Sequence, residues 1–196
     1  MRGTWIVVAG AAAVLATLGA LPAQAANLID ETRDDPDRAA GDIFQVLNPL
    51  IATGVTLYKR DYQGTRQYAY DFAATFAATQ LLKYSFNHTA WGERPNGGSE
   101  SFPSGHTSSA CSAAAFISDR YGWQYSLPLY GTALFTGYSR VDEHFHHWRD
   151  VIAGCALSYG ISRLITTPYR NETRVSLSPI IDIDTFGLQL TMVFAN

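Results

Sequence analysis

Two segments of the sequence decide how the rest is interpreted: Ser-Phe-Pro-Ser-Gly-His-Thr at residues 101–107, and Ser-Arg-Val-Asp-Glu-His-Phe-His-His-Trp-Arg-Asp at residues 139–150. In the first segment, Pro103 and Gly105 predict a tight turn that leads into a helix of small residues. Such a turn presents backbone N–H groups and the Ser104 hydroxyl at a helix N-terminus. This arrangement is suited to binding an anion.

The second segment places His146 four residues before Asp150. Residues with this spacing share one face of a helix, so the carboxylate can lie within reach of an imidazole nitrogen. An imidazole held by a carboxylate can serve as a nucleophile or a base. The segment therefore predicts a reactive histidine.

The N-terminal residues have the pattern of a signal peptide. Arg2 precedes an apolar run from Trp5 to Leu21, and a small-residue pattern follows at residues 22–26. Its regularity favours cleavage after Ala25 over retention as an uncleaved anchor. We therefore expect an exported, periplasmic protein with a signal peptide at residues 1–25 and a polar leader segment at residues 26–40.

Helical periodicity in the remainder predicts a mainly α protein, a compact bundle of five or six helices within a domain at residues 41–168. The predicted helices span residues 41–60, with Pro49 expected to kink or break the first, and then 66–86, 104–121, 127–138 and 148–165. Partial alternation in the tail at residues 169–196 is compatible with a short C-terminal β-hairpin, with strands near 174–183 and 186–194. Beyond Ala26, no apolar run reaches the roughly 18 residues of a membrane helix.

The charge and cysteine composition bear on which partners and which disulfide bonds are expected. The chain has 14 Lys and Arg against 17 Asp and Glu, a net charge of −3, so a nucleic-acid partner is not expected. Its two cysteines, Cys111 and Cys155, are each compatible with a small buried side chain. Export permits a disulfide bond between them, but only their geometry decides it.

Several charged residues around the two segments suit phosphoryl transfer. Cations would neutralise the phosphate oxygens, while one histidine attacks and another protonates the leaving oxygen. With three such cations, neither a metal nor another cofactor is expected. The candidate set is Lys83, Arg94, Arg140, Ser104, Gly105, His106, His146 and Asp150.

These motifs resemble the signature of the type 2 phosphatidic acid phosphatase superfamily, which includes class A acid phosphatases and vanadium haloperoxidases. The resemblance rests on Pro-Ser-Gly-His at residues 103–106, and on Ser139-Arg140 followed by His146 and Asp150. It implies that His146 is a nucleophile forming a phosphohistidine and that Asp150 orients it. It also implies that His106 is the acid for the departing alcohol.

The same resemblance implies that the phosphate is held by Lys83, Arg94 and Arg140, with the Ser104 hydroxyl and the Gly105 N–H. The family pattern has six residues between the lysine and Arg-Pro, but this chain has ten. The extra residues fall in a loop at residues 87–93, which either bulges outward or covers the pocket. In the latter case, we expect Trp91 to contact an apolar substrate tail.

We therefore expect a metal-independent phosphatase acting on phosphomonoesters or pyrophosphates, with a phosphorylated small molecule or lipid head group as partner. Peripheral contact with a membrane is left open. The alternatives are a vanadium-type haloperoxidase, a non-enzymatic envelope protein and a metal-dependent hydrolase. The last would use a zinc cluster drawn from His144, His146, His147 and Asp150.

Overall fold

A computed structural model describes residues 35–169, together with the backbone of residues 174–182 and 185–193. Within these residues the chain forms five helices: α1 (Pro36–Tyr58), α2 (Tyr62–Phe86), α3 (Gly105–Tyr121), α4 (Trp123–Asp142) and α5 (Trp148–Ile165). Helix α3 contacts each of the other four and so forms the centre of the bundle. The prediction of a mainly α bundle is confirmed.

Small side chains allow α3 to occupy this central position. Ala110 and the three alanines at 113–115 are buried, and the neighbouring helices pack closely around them. Phe116 supplies the largest fully buried side chain, and its ring centroid lies 4.8 Å from that of Tyr68 on α2. The core is therefore built around one alanine-rich helix.

The first helix begins earlier than predicted, at Pro36, so the leader segment does not extend to residue 40. The Asp35 side chain accepts a hydrogen bond from the Arg38 N–H, and Pro36 occupies the first turn, where a missing N–H has no cost. Pro49 does not break the helix. The neighbouring Asn48 amide donates to the carbonyls of Ala110 and Leu129, which docks α1 on the bundle beside the proline.

Two other helices are longer than their patterns indicated. Helix α2 begins at Tyr62 because the Asp61 side chain caps it by accepting from the Gly64 N–H. Helix α4 begins directly after Gly122, whose φ of 111° ends α3 and turns the chain. The predicted bounds of α3 and α5 agree with the structure.

After α5, the backbone of two antiparallel strands is described, β1 (Arg174–Asp182) and β2 (Thr185–Val193). They pair from Arg174 opposite Val193 to Asp182 opposite Thr185. The predicted signal peptide and the leader up to residue 34 lie outside the described residues and stay predictions. None of the described helices combines the length and the apolar character needed to cross a membrane.

Candidate active site

A cavity of about 400 Å³ opens at one end of the bundle. It lies where α1 and α3 begin, α2 and α4 end, and the loop before α5 passes. Six of the eight predicted site residues line it: Lys83, Arg94, Gly105, His106, Arg140 and His146. The same cavity is also lined by Arg38, Asp42, Gln80, Glu100 and Phe145. The two sequence segments and the predicted cations therefore converge on one pocket.

Asp150 lies directly behind His146. Its side chain is fully buried in the first turn of α5, and its Oδ2 lies 3.7 Å from His146 Nδ1. The same oxygen accepts from Ser101 Oγ at 2.5 Å and from the His147 N–H at 2.9 Å. Burial alone would raise the pKa of Asp150, but the adjacent His146 ring and the hydrogen bonds from Ser101 and the His147 N–H outweigh it and hold the pKa well below its usual value. Asp150 is therefore a fixed anion.

His146 is suited to act as a nucleophile in its neutral form. Its side chain is only 4% exposed. Burial lowers its pKa below the ordinary 6.5, the Lys83 and Arg94 cations act in the same direction, and Asp150 opposes them. The imidazole is therefore neutral at neutral pH, and the Asp150 anion, 3.7 Å from Nδ1, favours the hydrogen on that nitrogen.

Ser104 does not line the cavity but joins two helices behind it. It is fully buried, and its hydroxyl caps α3 by accepting from the Thr107 N–H at 3.5 Å and also accepts from the Thr107 hydroxyl at 3.0 Å. Its own N–H donates to the Asp150 carbonyl at 3.0 Å. Gly154 on α5 allows this approach, because a Cβ there would lie 2.7 Å from the Ser104 carbonyl oxygen. Ser104 thus joins α3 to α5, and Gly105 follows it at the pocket.

Lys83 and Arg94 meet despite the ten residues between them. Lys83 Nζ donates to the Glu100 carbonyl at 2.5 Å. Burial lowers the pKa of Lys83 to about 8, and Arg94 adds to this effect, so the side chain is still cationic at neutral pH. The loop backbone fixes the position of Arg94, because the Arg94 N–H donates a hydrogen bond to the Gly98 carbonyl at 2.8 Å.

Part of the longer loop packs against the end of α2 and the segment before α3. The ring of Trp91 lies 6.2 Å from that of Phe86 and 5.1 Å from that of Phe102, and the Arg149 guanidinium lies 5.1 Å above it. Gly92 is required here, because a Cβ would lie 2.4 Å from the Phe86 carbonyl oxygen. Trp91 is held by these contacts while 46% exposed, and it is not among the residues that line the cavity.

Arg38, Asp42, Ser101 and Phe145 were missed from the sequence. The Phe145 ring faces three guanidinium groups, with centroid distances of 5.0 Å for Arg38 and 5.8 Å for both Arg94 and Arg140. Ser101 lay within the quoted motif, but nothing local indicated its bond to Asp150. Arg38 and Asp42 belong to α1, and no motif connects that helix with the site.

The alternative metal cluster is not assembled in the described part of the chain. There, no group of three or more His, Cys, Asp or Glu side chains is placed to hold a metal ion. His144 is exposed in the loop before α5, with a φ of 57°, and His147 occupies the N-cap of that helix. Of the predicted ligands, His146 Nδ1 and His147 Nδ1 lie 3.7 Å and 3.4 Å from Asp150 Oδ2.

Comparison with known proteins agrees with this geometry. Residues 62–174 match the model of the PAP2 superfamily. The chain belongs to the PAP2 superfamily. The matched PAP2 region contains α2 to α5 and all eight candidate residues. It leaves out α1, so Arg38 and Asp42 come from a segment beyond the matched region.

Similar PAP2 relatives include two proteins of Helicobacter pylori. The Lipid A 4'-phosphatase of strain J99 is 33% identical over 155 residues, which cover 75% of this chain and 77% of the relative. The Lipid A 1-phosphatase of strain 26695 is 30% identical over 124 residues, which cover 61% of this chain and 65% of the relative. The crystal structure of Aquifex aeolicus LpxE is similar with a TM-score of 0.47 and 20% identity, covering 63% of this chain and 83% of that one.

Proposed function

We propose that this chain is a phosphatase that removes phosphate from the head group of a phosphorylated lipid through a phosphohistidine on His146. The observation that carries the proposal is the buried His146 backed by Asp150, facing a cavity that Lys83, Arg94 and Arg140 make cationic. Membership of the PAP2 superfamily and relatives named as lipid A phosphatases support the substrate class.

In the first step, His146 Nε2 forms a bond to phosphorus as the bond between phosphorus and the leaving oxygen breaks. The Asp150 anion favours the hydrogen on Nδ1, so the attacking lone pair is on Nε2. His106 gives its proton to the leaving oxygen. The three cations and the Gly105 N–H stabilise the charge on the remaining phosphate oxygens.

In the second step, water attacks the phosphohistidine. His106, now neutral, takes a proton from the water as the oxygen bonds to phosphorus, and the bond between phosphorus and His146 breaks. Phosphate leaves with both imidazoles returned to their starting states. Because the pKa of His146 is lowered, its neutral form persists into mildly acidic solution, which supports activity below about pH 6.5.

Phosphate release by the purified chain tests the proposal. Suitable substrates are a lipid phosphate, a polyprenyl diphosphate and an activated aryl phosphate, each measured with and without EDTA. We expect release in the presence of EDTA and its loss in His146→Ala, with His144→Ala as a matched control on the same loop. Full activity of His146→Ala, or loss to EDTA with recovery on adding zinc, would contradict the proposed mechanism.

The alternatives have their own readouts in the same experiment. Peroxide-dependent bromination after vanadate loading would indicate the haloperoxidase. Absence of phosphate release from every substrate would favour the non-enzymatic envelope protein. An acid-labile, base-stable radiolabel on the protein, formed from labelled substrate and absent in His146→Ala, is the result that the phosphohistidine predicts.

We also propose that α1 contacts a lipid surface. Residues 43–58 carry no charged side chain. Its outward side chains Ile43, Val46, Leu47, Leu50 and Ile51 are 39–61% exposed at helical spacing, whereas Asn48, Ala52 and Thr56 are buried. Large apolar groups thus face outward and small or polar ones inward, the reverse of an ordinary surface helix. A lipid surface fits this uncharged stripe and the lipid head group proposed as substrate.

Vesicle binding tests this contact. We expect Leu47→Glu with Leu50→Glu to reduce cosedimentation with phosphatidylethanolamine–phosphatidylglycerol vesicles, and to lower activity on a lipid phosphate while sparing a soluble aryl phosphate. Leu164→Glu, at an 87% exposed position at the other end of the bundle, is the control. Unchanged vesicle binding would contradict the proposal, and a shift from dimer to monomer in solution would instead identify the stripe as an interface between copies.

A further inference from the structure

Asp42 reaches the centre of the site from α1, outside the region that matches the PAP2 model. Its Oδ1 lies 2.7 Å from His106 Nε2 and accepts from Arg140 Nη1 at 2.9 Å. These contacts join residues 64 and 98 positions apart in the chain. One carboxylate oxygen thus connects the imidazole assigned as acid with a cation assigned to the phosphate.

The hydrogen in this contact can be assigned from chemistry. A carboxylate has no hydrogen to donate, so His106 Nε2 must carry the one shared with Asp42. Burial alone would raise the pKa of Asp42, but the hydrogen bond with His106 and the Arg140 cation outweigh it and hold the pKa below its ordinary value. Asp42 is therefore ionised, and Nδ1 is the His106 nitrogen that is available to the substrate.

We propose that Asp42 is a positioning residue that orients His106 and stabilises its imidazolium form, leaving Nδ1–H to protonate the departing oxygen, and that fixes the Arg140 guanidinium beside it. The catalytic meaning of this role rests on the proposed function. In the first step the Nδ1 proton passes to the leaving oxygen and His106 becomes neutral. In the second, a proton from water returns to Nδ1 and restores the imidazolium.

The electrostatics around His106 show why an anion is needed. Burial, with the Arg140 and Lys83 cations acting in the same direction, holds the pKa of His106 below the ordinary 6.5, and the hydrogen bond to Asp42 offsets only part of this. The imidazolium that the first step needs therefore forms in mildly acidic solution. The other charged or titratable groups lining the cavity are Arg38, Arg94, Glu100 and His146. In a pocket this rich in cations, removal of Asp42 would leave His106 neutral over more of the pH range.

Asp42→Asn tests the role because it keeps the shape of the side chain and removes its charge. We expect kcat/KM for an alkyl phosphate to fall by roughly 10-fold to 100-fold, and that for an activated aryl phosphate by less than about threefold, since an aryl leaving group needs little protonation. The alkaline limb of the alkyl phosphate profile should move to lower pH. Asp42→Glu, which retains the anion, should keep more of the wild-type profile.

Asp37→Asn is the matched control, because Asp37 is an exposed acid in the first turn of the same helix. It removes the same net charge and should leave both substrates and the pH profile unchanged. A separate readout needs no turnover: the His106 ring, followed by NMR, should lose its proton at lower pH in Asp42→Asn than in the wild type. This titration tests Asp42 even if the chain releases no phosphate and the proposed function fails.

Two outcomes would overturn the inference. In the first, Asp42→Asn binds vanadate more tightly and turns over alkyl phosphates undiminished, which would mean that the carboxylate only competes with phosphate for its site. In the second, both substrates lose activity equally while the His106 titration does not move, which would reduce Asp42 to a packing contact.

Discussion

Asp71 is a carboxyl group that the proposed chemistry does not use. It is fully buried on α2, where the Thr75 hydroxyl donates to its Oδ1 at 3.4 Å. Burial raises its pKa to about 7, Asp119 adds to the rise, and the neighbouring Ser162 and Thr75 hydroxyls offset part of it. Because the folded pKa lies above the unfolded value of 3.8, folding takes up a proton between these values. Stability is therefore lost as pH rises from 3.8 to about 7.

Asp71→Asn should consequently stabilise the protein, and more so in alkaline solution. Asn keeps the shape of the side chain and has no charge to bury, so the variant should have a higher thermal midpoint than the wild type at about pH 8, with a much smaller gap at about pH 4. For Asp37→Asn, at an exposed position, the difference in thermal midpoint from the wild type should not change with pH. A gap of equal size at both pH values would contradict the raised pKa.

At the scale of elements, a buried cluster joins the helix ends opposite the site. Arg120, at the end of α3, donates from Nε and Nη2 to the two Asp61 oxygens at 2.7 Å and 2.6 Å, and both side chains are at most 4% exposed. Its Nη1 donates to the Thr167 carbonyl beyond α5 at 2.7 Å. Since Asp61 also caps α2, the cluster holds three segments together.

Arg120→Leu should therefore be strongly destabilising. It leaves the Asp61 carboxylate buried without its cation, which typically costs about 3–5 kcal/mol in the free energy of unfolding. Urea denaturation measures the loss, and adding Asp61→Asn to the variant should recover part of it. Arg163→Gln breaks an ion pair with Asp119 in which the arginine is 61% exposed, so it should cost less than about 1 kcal/mol. Equal losses of free energy of unfolding in Arg120→Leu and Arg163→Gln would contradict a structural role for the buried Arg120 cluster.

For the whole molecule, one covalent bond ties the central helix to the helix that carries Asp150. Cys111 on α3 and Cys155 on α5 form a disulfide, with their Cα atoms 5.2 Å apart and their positions separated by 44 in the sequence. The bond belongs to the core, where Ala110 and Ala133 pack beside it. It closes a long loop that contains α4 and so limits the freedom of the unfolded chain.

Replacing both cysteines with serine should lower the free energy of unfolding by about 3–4 kcal/mol, as expected for a loop of this length. Denaturation with and without a reducing agent measures this effect. Reduction of the wild type should produce a similar loss and leave the double variant unchanged. Two titratable thiols in the native, unreduced chain would show that the bond does not form.

Local signals in the sequence were sufficient for the helical class and for the bounds of α3 and α5. The Pro-Ser-Gly-His turn and the four-residue spacing of His146 and Asp150 act over one or two helical turns, so they can be recognised without the fold. Predictions failed where a cap or a tertiary contact outweighed the local pattern. Pro49 lies inside an unbroken helix because Asn48 docks it on the bundle, and Asp35 starts that helix earlier than its apolar periodicity indicated.

Only the tertiary structure decided which distant residues meet. The bond of Ser101 to Asp150, the cysteine pairing and the approach of Asp42 to His106 each depend on distances set by packing between helices. No local pattern encodes such distances, because helices of the same periodicity can pack at several angles and registers. Motifs therefore determined the phosphate chemistry expected of this chain, whereas the close packing of α1 against the other helices determined the surroundings of its proposed acid.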